Sequence, residues 1–472
     1  MNIKRTLAVV LAGGALFGQS VRADDSDELK ALKQEIDALD QKVRILERNG
    51  ELDKDAAAEK AKTAPLIKLD GSGFTFSSAD TNFVTTLHGL IQFDNRTFFG
   101  DKNINGNDGF LLRRARPIFT GTLFHDFDYN FTPDFGGTSV QIFDAYLNYR
   151  AKPWLQFRAG KFKPPVGLEN LQSDTVTAFN ERSVVNDLIP GRDVGFQVWG
   201  DIAGGALSYA VGVFNGVGDA RNSANFDFED NREIAARIFA IPFKNTSIKA
   251  LKGLGFGIAG TWGESSVTNV TGLPGTTGGS LGGYTTDGQQ QFFAYNPATG
   301  SVVENGAHWR LSPQAYYYYG PFSLMAEYAV SDQQLSRVGP TPAKADLQNT
   351  AWEITGGWVI TGEDATYTGV TPRHNFDPKT GGCGAWQLVA RYGQLDIDNK
   401  TFPLFANPAS SATGLETYSI GLNWYLNKDI TVKASYSHTD FTGGGKSTAL
   451  TAPSVVTAHD EDVFFTRIQL SF

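Results

Sequence analysis

Glu461-Asp462-Val463-Phe464-Phe465-Thr466-Arg467-Ile468-Gln469-Leu470-Ser471-Phe472 alternates at every second residue. Phe464, Ile468, Leu470 and Phe472 fall on one face, and Arg467, Gln469 and Ser471 fall on the other. Successive side chains of a strand point to opposite faces, so this run predicts a strand with one oily and one wet side. Many such runs precede it. Behind an export leader, a series of them predicts an antiparallel transmembrane β-barrel, because a sheet in lipid must leave no unpaired edge.

The leader is expected at 1–23. Asn2-Ile3-Lys4-Arg5 is basic, Thr6 to Phe17 is apolar, and Ser20-Val21-Arg22-Ala23 supplies small residues for a cut near Ala23. No apolar run of helix-spanning length occurs beyond it. The 52 Gly, 34 Phe, 16 Tyr and 8 Trp coexist with a mean hydropathy of −0.24. A barrel produces that mixture, since only half of each strand meets lipid. A net charge of −9 argues against a nucleic-acid partner.

Residues 24–62 are expected to form a separate periplasmic coiled-coil segment. Leu29, Leu32, Ile36, Leu39, Val43 and Leu46 recur at intervals of three and four between charged residues. Asn49-Gly50 ends the strongest part, a weaker helix extends through Ala56-Ala57-Ala58, and Ala64-Pro65 breaks it. A lone amphipathic helix is the plainer alternative, and a tether to the cell wall a further role. A linker and lead-in, 63–82, then reaches the barrel, 83–472.

Sixteen strands are expected: 83–96, 110–121, 126–134, 140–150, 154–162, 193–200, 206–214, 231–241, 253–263, 306–319, 322–331, 350–361, 384–397, 414–426, 430–440 and 461–472. An even number suits a barrel with both termini in the periplasm. Short turns such as 151–153, 320–321 and 427–429 alternate with long segments at 264–305, 332–349, 362–383, 398–413 and 441–458, expected as outer loops. The connection 163–192 differs. It holds Leu168, Leu171, Val176, Phe179, Val184, Val185, Leu188 and Ile189 among its charges. That suits a segment folded against the inside wall as a constriction; an external loop packed on its neighbours is the alternative.

Strand parity sorts charges into lipid and lumen, and a lipid-side charge costs about 2–4 kcal/mol at the midplane. Nine basic residues fall on the lumen side: Arg114, Arg116, Arg150, Arg158, Arg237, Arg310, Arg391, Lys433 and Arg467. Asp126, Asp128, Asp144, Glu233, Glu327 and Glu353 accompany them. Parity puts Leu112 inward and leaves Arg113 at the rim. A basic excess in a narrow passage concentrates anions, and the planar fork of Arg suits oxyanions. His88, His125, His308, His374, His438 and His459 are scattered, and Cys383 lies alone in a Gly-rich loop. No catalytic residue, cofactor or metal is expected.

Several stretches resemble the phosphate-selective porin O and P family of Gram-negative outer membranes. They are Phe110-Leu111-Leu112-Arg113-Arg114-Ala115-Arg116, Thr132-Pro133-Asp134-Phe135-Gly136, Gly160-Lys161-Phe162-Lys163-Pro164-Pro165-Val166-Gly167-Leu168-Glu169, Asn180-Glu181-Arg182-Ser183 and Pro190-Gly191-Arg192-Asp193-Val194-Gly195. The resemblance implies a homotrimer of sixteen-stranded barrels in lipid and lipopolysaccharide, with the third loop folded inward. It also implies an arginine ladder, fitted by Arg114 and Arg116, leading to a constriction near Lys161, Lys163, Arg182 and Arg192. Parity alone turns Lys161 outward, and central lysines from the later strands have no match. Passive diffusion of phosphate or related oxyanions is the implied function, with a weakly selective porin for small solutes as the alternative.

Overall fold

The change of period at Ala64-Pro65 separates two units. The computed structural model describes residues 24–70, 73–99, 108–137, 139–223, 231–266, 281, 283–443 and 460–472, so the expected leader lies outside the described residues.

The first unit is a single helix, α1 (Asp24–Thr63). It runs through Asn49-Gly50 because its second half is rich in Ala, Lys and Glu, strong helix formers, and one Gly costs only about 1 kcal/mol. Pro65, without an amide hydrogen, lies just beyond its end. The stripe from Leu29 to Leu46 is exposed along its length, from 73% at Leu29 to 49% at Val43. One chain supplies one helix, and a coiled coil needs a second beside it.

The second unit begins with a hairpin, β1 (Leu66–Asp70) and β2 (Gly73–Ser77), within the expected lead-in. Nine barrel strands follow: β3 (Phe83–Phe99), β4 (Gly109–Leu123), β5 (Phe127–Asp134), β6 (Gln141–Lys152), β7 (Leu155–Phe162), β8 (Asp193–Ile202), β9 (Leu207–Phe214), β10 (Glu233–Ala240) and β11 (Leu254–Ser266). After a small hairpin, β12 (Gly283–Thr285) and β13 (Gln291–Ala294), come β14 (Ser301–Tyr319), β15 (Phe322–Val338) and β16 (Ala343–Val359). A second small hairpin, β17 (Ala365–Thr366) and β18 (Gly369–Val370), precedes β19 (Ala385–Asp396), β20 (Gly414–Tyr425), β21 (Ile430–Thr442) and β22 (Asp460–Ser471).

Each barrel strand pairs antiparallel with the next, and β22 pairs with β3 from Asp462↔Phe99 to Ser471↔Leu90. Sixteen strands therefore close without an edge, as expected. Where β22 ends, β2 takes over the same side of β3, from Phe74↔Leu87 to Ser77↔Val84. Alternation holds along β22, with Phe464 and Ile468 exposed and Val463, Phe465, Arg467 and Gln469 buried.

Two connections differ from expectation. Most of 332–349 is strand, because β15 and β16 extend past the expected boundaries and leave only 339–342 between them. The segment 360–384 joins β16 to β19 on the rim of the short turns, not the rim of the long loops. Loop length alone does not say which rim a loop belongs to; the strand count does.

One local feature moves three side chains. On β4, Gln92↔Arg114 is followed by Phe93↔Leu112, which leaves Arg113 as the extra residue of a β-bulge. Beyond it parity flips. Leu112 and Phe110 turn out to the lipid side, where Phe110 stacks on Phe93 at 5.6 Å, and Arg113 turns inward with Arg114. The expected inward Leu112 and rim Arg113 are thus exchanged.

Candidate functional site

The segment 163–192 lies across the lumen and is tied to strands far apart around the barrel. Its apolar residues Val166, Val184, Val185, Leu188 and Ile189 belong to a buried cluster with Tyr284, Phe292 and Phe293 of the β12–β13 hairpin. The polar ties are more specific. From Asp174 to Glu181 the segment is a turn followed by bends, neither helix nor strand, so no ladder satisfies its carbonyls. Instead wall side chains donate to them one after another: Gln92 to Asp174 O (3.0 Å), Gln469 to Thr175 O (2.8 Å), Lys433 to Thr177 O (2.5 Å), Asn423 to Ala178 O (2.8 Å), Arg467 to Asn180 O (2.6 Å) and Arg391 to Glu181 O (3.1 Å). At its start, Leu168 and Glu169 donate their amides to Glu327 at 2.8 and 3.2 Å. From the opposite rim Tyr367, between β17 and β18, donates its hydroxyl to Leu168 O at 2.6 Å.

This arrangement divides the nine sequence-assigned lumen cations. Arg310 is wrapped by Asp219 (2.7 Å), Glu233 (3.1 Å), Thr261 and the Val217 carbonyl. Arg467 forks onto Asp94, both oxygens at 2.7 Å, with neither side chain exposed. Arg391 is held by Asp287 at 2.8 Å and Glu169 at 3.5 Å. With Lys433, these four are tied into the wall and its loops. Arg150 is exposed, 3.2 Å from Asp128, and Arg237 donates to Gln314 at 3.1 Å while lying over Phe239. Arg158 lies over Tyr146 and Trp199, its Nε without a hydrogen-bond partner.

The remaining two, Arg114 and Arg116, meet the expected constriction residues around one carboxylate. Asp174 is buried within reach of Arg116, Arg182 (2.5 Å), Arg114 (3.4 Å) and Arg192 (4.0 Å). Lys163 belongs to the same group and donates to the Asn170 and Gln172 carbonyls. Burial alone would raise the Asp174 carboxyl; the guanidiniums of Arg114, Arg182 and Arg116 outweigh it and hold the group well below the ordinary carboxylate range. Asp134 pairs with Arg116 at 2.6 Å, and Asp144 lies 3.7 Å from Arg192. Five cations thus share three carboxylates, and the Nε atoms of Arg114 and Arg192 lack hydrogen-bond partners. The group is positive and its donors are not all used.

Lys161 borders this group, with Asp193, Arg192 and Asp144 among its charged neighbours. Gly160 takes a φ of +131°, and the Lys161 ammonium reaches the Ser223 carbonyl at 2.7 Å. The carboxylates that neutralise the wall (Asp94, Asp174, Glu181, Asp219 and Asp287) are not among the lumen acids that strand parity assigns, although Asp174 and Glu181 belong to the charged 163–192 segment. Asp94 and Arg96 follow the β3 alternation and were legible by the same parity. The other four lie on connections, where no periodicity reports direction. Glu181 receives Arg113 in a fork, at 2.6 and 2.9 Å, with Arg96 at 3.4 Å.

The sequence profile of the family described as phosphate-selective porin O and P matches residues 85–472. Porin O of Pseudomonas aeruginosa is 24% identical over 391 residues, which cover 79% of this chain and 86% of that protein. In fold, the chain is similar to the outer membrane channel DcaP of Acinetobacter baumannii, with a TM-score of 0.51, 12% identity and coverage of 85% of this chain and 100% of the other. It is also similar to an anion-selective porin from Comamonas acidovorans, with a TM-score of 0.50, 10% identity and coverage of 83% and 100%.

Proposed function

We propose, on the premise that this chain belongs to the phosphate-selective porin O and P family and is a multi-pass outer-membrane barrel of a Gram-negative bacterium, that it conducts phosphate and related oxyanions by passive diffusion. The observation that carries this reading is the cation surplus at Asp174, where five basic side chains face three carboxylates between the 163–192 segment and the wall strands β4–β6. An anion entering there exchanges water for N–H donors that are already aimed inward. A cation meets the same field with the opposite sign. Guanidiniums favour oxyanions over halide because their paired donors match two oxygens at once. No covalent step is involved, and the gradient supplies the drive.

Conduction then depends on Arg114, Arg116, Lys163, Arg182 and Arg192. Arg391, Lys433 and Arg467 hold the segment in place, Arg310 fastens the connection after β9, and Arg150, Arg158 and Arg237 line the approach. Lys161 fastens the connection after β9 through the Ser223 carbonyl. We read α1 as the assembly element: its exposed Leu29–Leu46 stripe packs against the same stripe of other copies in a trimer already gathered in the membrane, where effective concentration is high. Reversal potentials across planar bilayers test the function. Anion preference in potassium chloride with current inhibited by added phosphate is expected; cation preference refutes the reading. Anion preference indifferent to phosphate leaves a weakly selective porin.

A further inference from the structure

We infer that Asp174 is a tethered stand-in for the permeating oxyanion: in the empty channel its carboxylate occupies the arginine site, and a free oxyanion passes by taking its place. This rests on the anion reading above and adds to it the residue that sets affinity.

Three features support the assignment. The carboxylate is met by guanidiniums from separate places, Arg114 and Arg116 on β4, Arg182 within the segment and Arg192 where the segment ends. That is how an anion is bound, not how a loop is fastened, since one pair would fasten it. The segment is also held without this side chain. Gln92 holds the Asp174 carbonyl, Gln469 holds that of Thr175, and Arg182 donates to the Glu169 and Gln172 carbonyls at 3.1 and 2.9 Å. The carboxylate can therefore leave while the backbone stays. Finally, its two oxygens do not use all the donors around them. The Nε atoms of Arg114 and Arg192 remain unpartnered in a buried site, and Arg192 makes only long ion pairs of 3.7 and 4.0 Å. A tetrahedral oxyanion has four oxygens and up to one more charge than the carboxylate, so it meets donors that Asp174 leaves unmet. Chloride has neither advantage. Five basic groups with no resident anion would hold phosphate too long for conduction; a competitor on the chain speeds its release.

The experiment uses the full-length protein in planar bilayers, with inorganic phosphate as the blocker of chloride current. Asp174→Asn is expected to lower the half-blocking phosphate concentration by about tenfold, because a tethered competitor present at high effective concentration has been removed. Asp174→Glu, which restores a carboxylate, is expected to remain within about threefold of the parent. An unchanged or weaker block in an anion-selective Asp174→Asn channel overturns the inference and leaves the anion reading intact, whereas a cation-selective parent channel overturns both. Should Asp174→Asn fail to insert, selenate soaked into the parent protein and located by its anomalous scattering decides the matter. Selenate among Arg114, Arg182 and Arg192 with the carboxylate withdrawn supports it; Asp174 still in place at saturating selenate overturns it.

Discussion

Replacing Arg192 by Gln isolates the electrostatic part of selectivity from the architecture that carries it. The Arg192 amide donates to Asn222 Oδ1 at 2.7 Å, so its backbone stays placed whatever the side chain. Its ion pairs are long: Asp174 keeps Arg114, Arg116 and Arg182, and Asp144, whose side chain is 21% exposed to water, loses a pair of 3.7 Å. The stacking over Phe143 is lost from one side only, because Arg116 covers the same ring at 4.1 Å. The change therefore removes one positive charge from a group of five cations and three carboxylates. At roughly 6 Å from a passing ion, one charge is worth about 0.7 kcal/mol if the bore is as polar as water and about 3 kcal/mol at an effective dielectric of about 20. Anion occupancy falls by about threefold to about hundredfold, and cations gain what anions lose. The anion-to-cation permeability ratio should drop by about tenfold or more, read as a shift of reversal potential in a potassium chloride gradient. Because screening weakens the field, the drop should shrink at molar salt. An unchanged ratio at low salt would refute the reasoning, since the surplus charge would then lie outside the ion path.

Other consequences are structural. Arg467→Leu leaves Asp94 buried and charged, so the barrel should lose about 3–5 kcal/mol of stability, seen as a lower temperature for the heat-dependent gel shift; adding Asp94→Asn should recover part of it. Tyr367→Phe removes the hydroxyl held by Leu168 O, worth about 1 kcal/mol, and should raise open-channel current noise without altering ion preference. Asp219, on the connection after β9, is pushed up by burial and pulled down further by Arg310, to about 2. Its contribution to docking that connection is present above the ordinary carboxylate pKa of about 4 and is lost as pH falls through about 2, so protease nicking near 219 should rise only toward that acidity. Ile36→Asp with Leu39→Asp in α1 should lower trimer yield after detergent extraction while leaving the conductance of inserted channels unchanged; unaltered trimers would reject assembly through this helix.

The barrel was legible because its physics is periodic. Lipid on one side and water on the other act on every strand alike, so side chains from Phe83 to Phe472 record the sheet two residues at a time, and the count of sixteen follows. The α1 stripe was legible for the same reason at a different period. Parity also turned Arg114, Arg116, Arg391 and Arg467 inward, as found. It failed at Arg113, where one extra residue shifts the register and cannot be told from a rim position without the partner strand. It was silent for Asp174, Glu181, Asp219 and Asp287, which lie on connections whose direction is set by what they meet across the lumen.

Away from the β4 bulge, the chain alone fixes which residues face lipid, because that depends on each strand's own alternation. The choice of which inward cations remain available to an ion belongs to the closed barrel. Arg310 and Arg467 are neutralised, and Arg114 and Arg192 are left with donors to spare, by carboxylates 91, 373, 60 and 18 positions away in sequence. Charge pairing acts over a few ångströms of space, and only ring closure and the inward course of 163–192 decide which groups come that near.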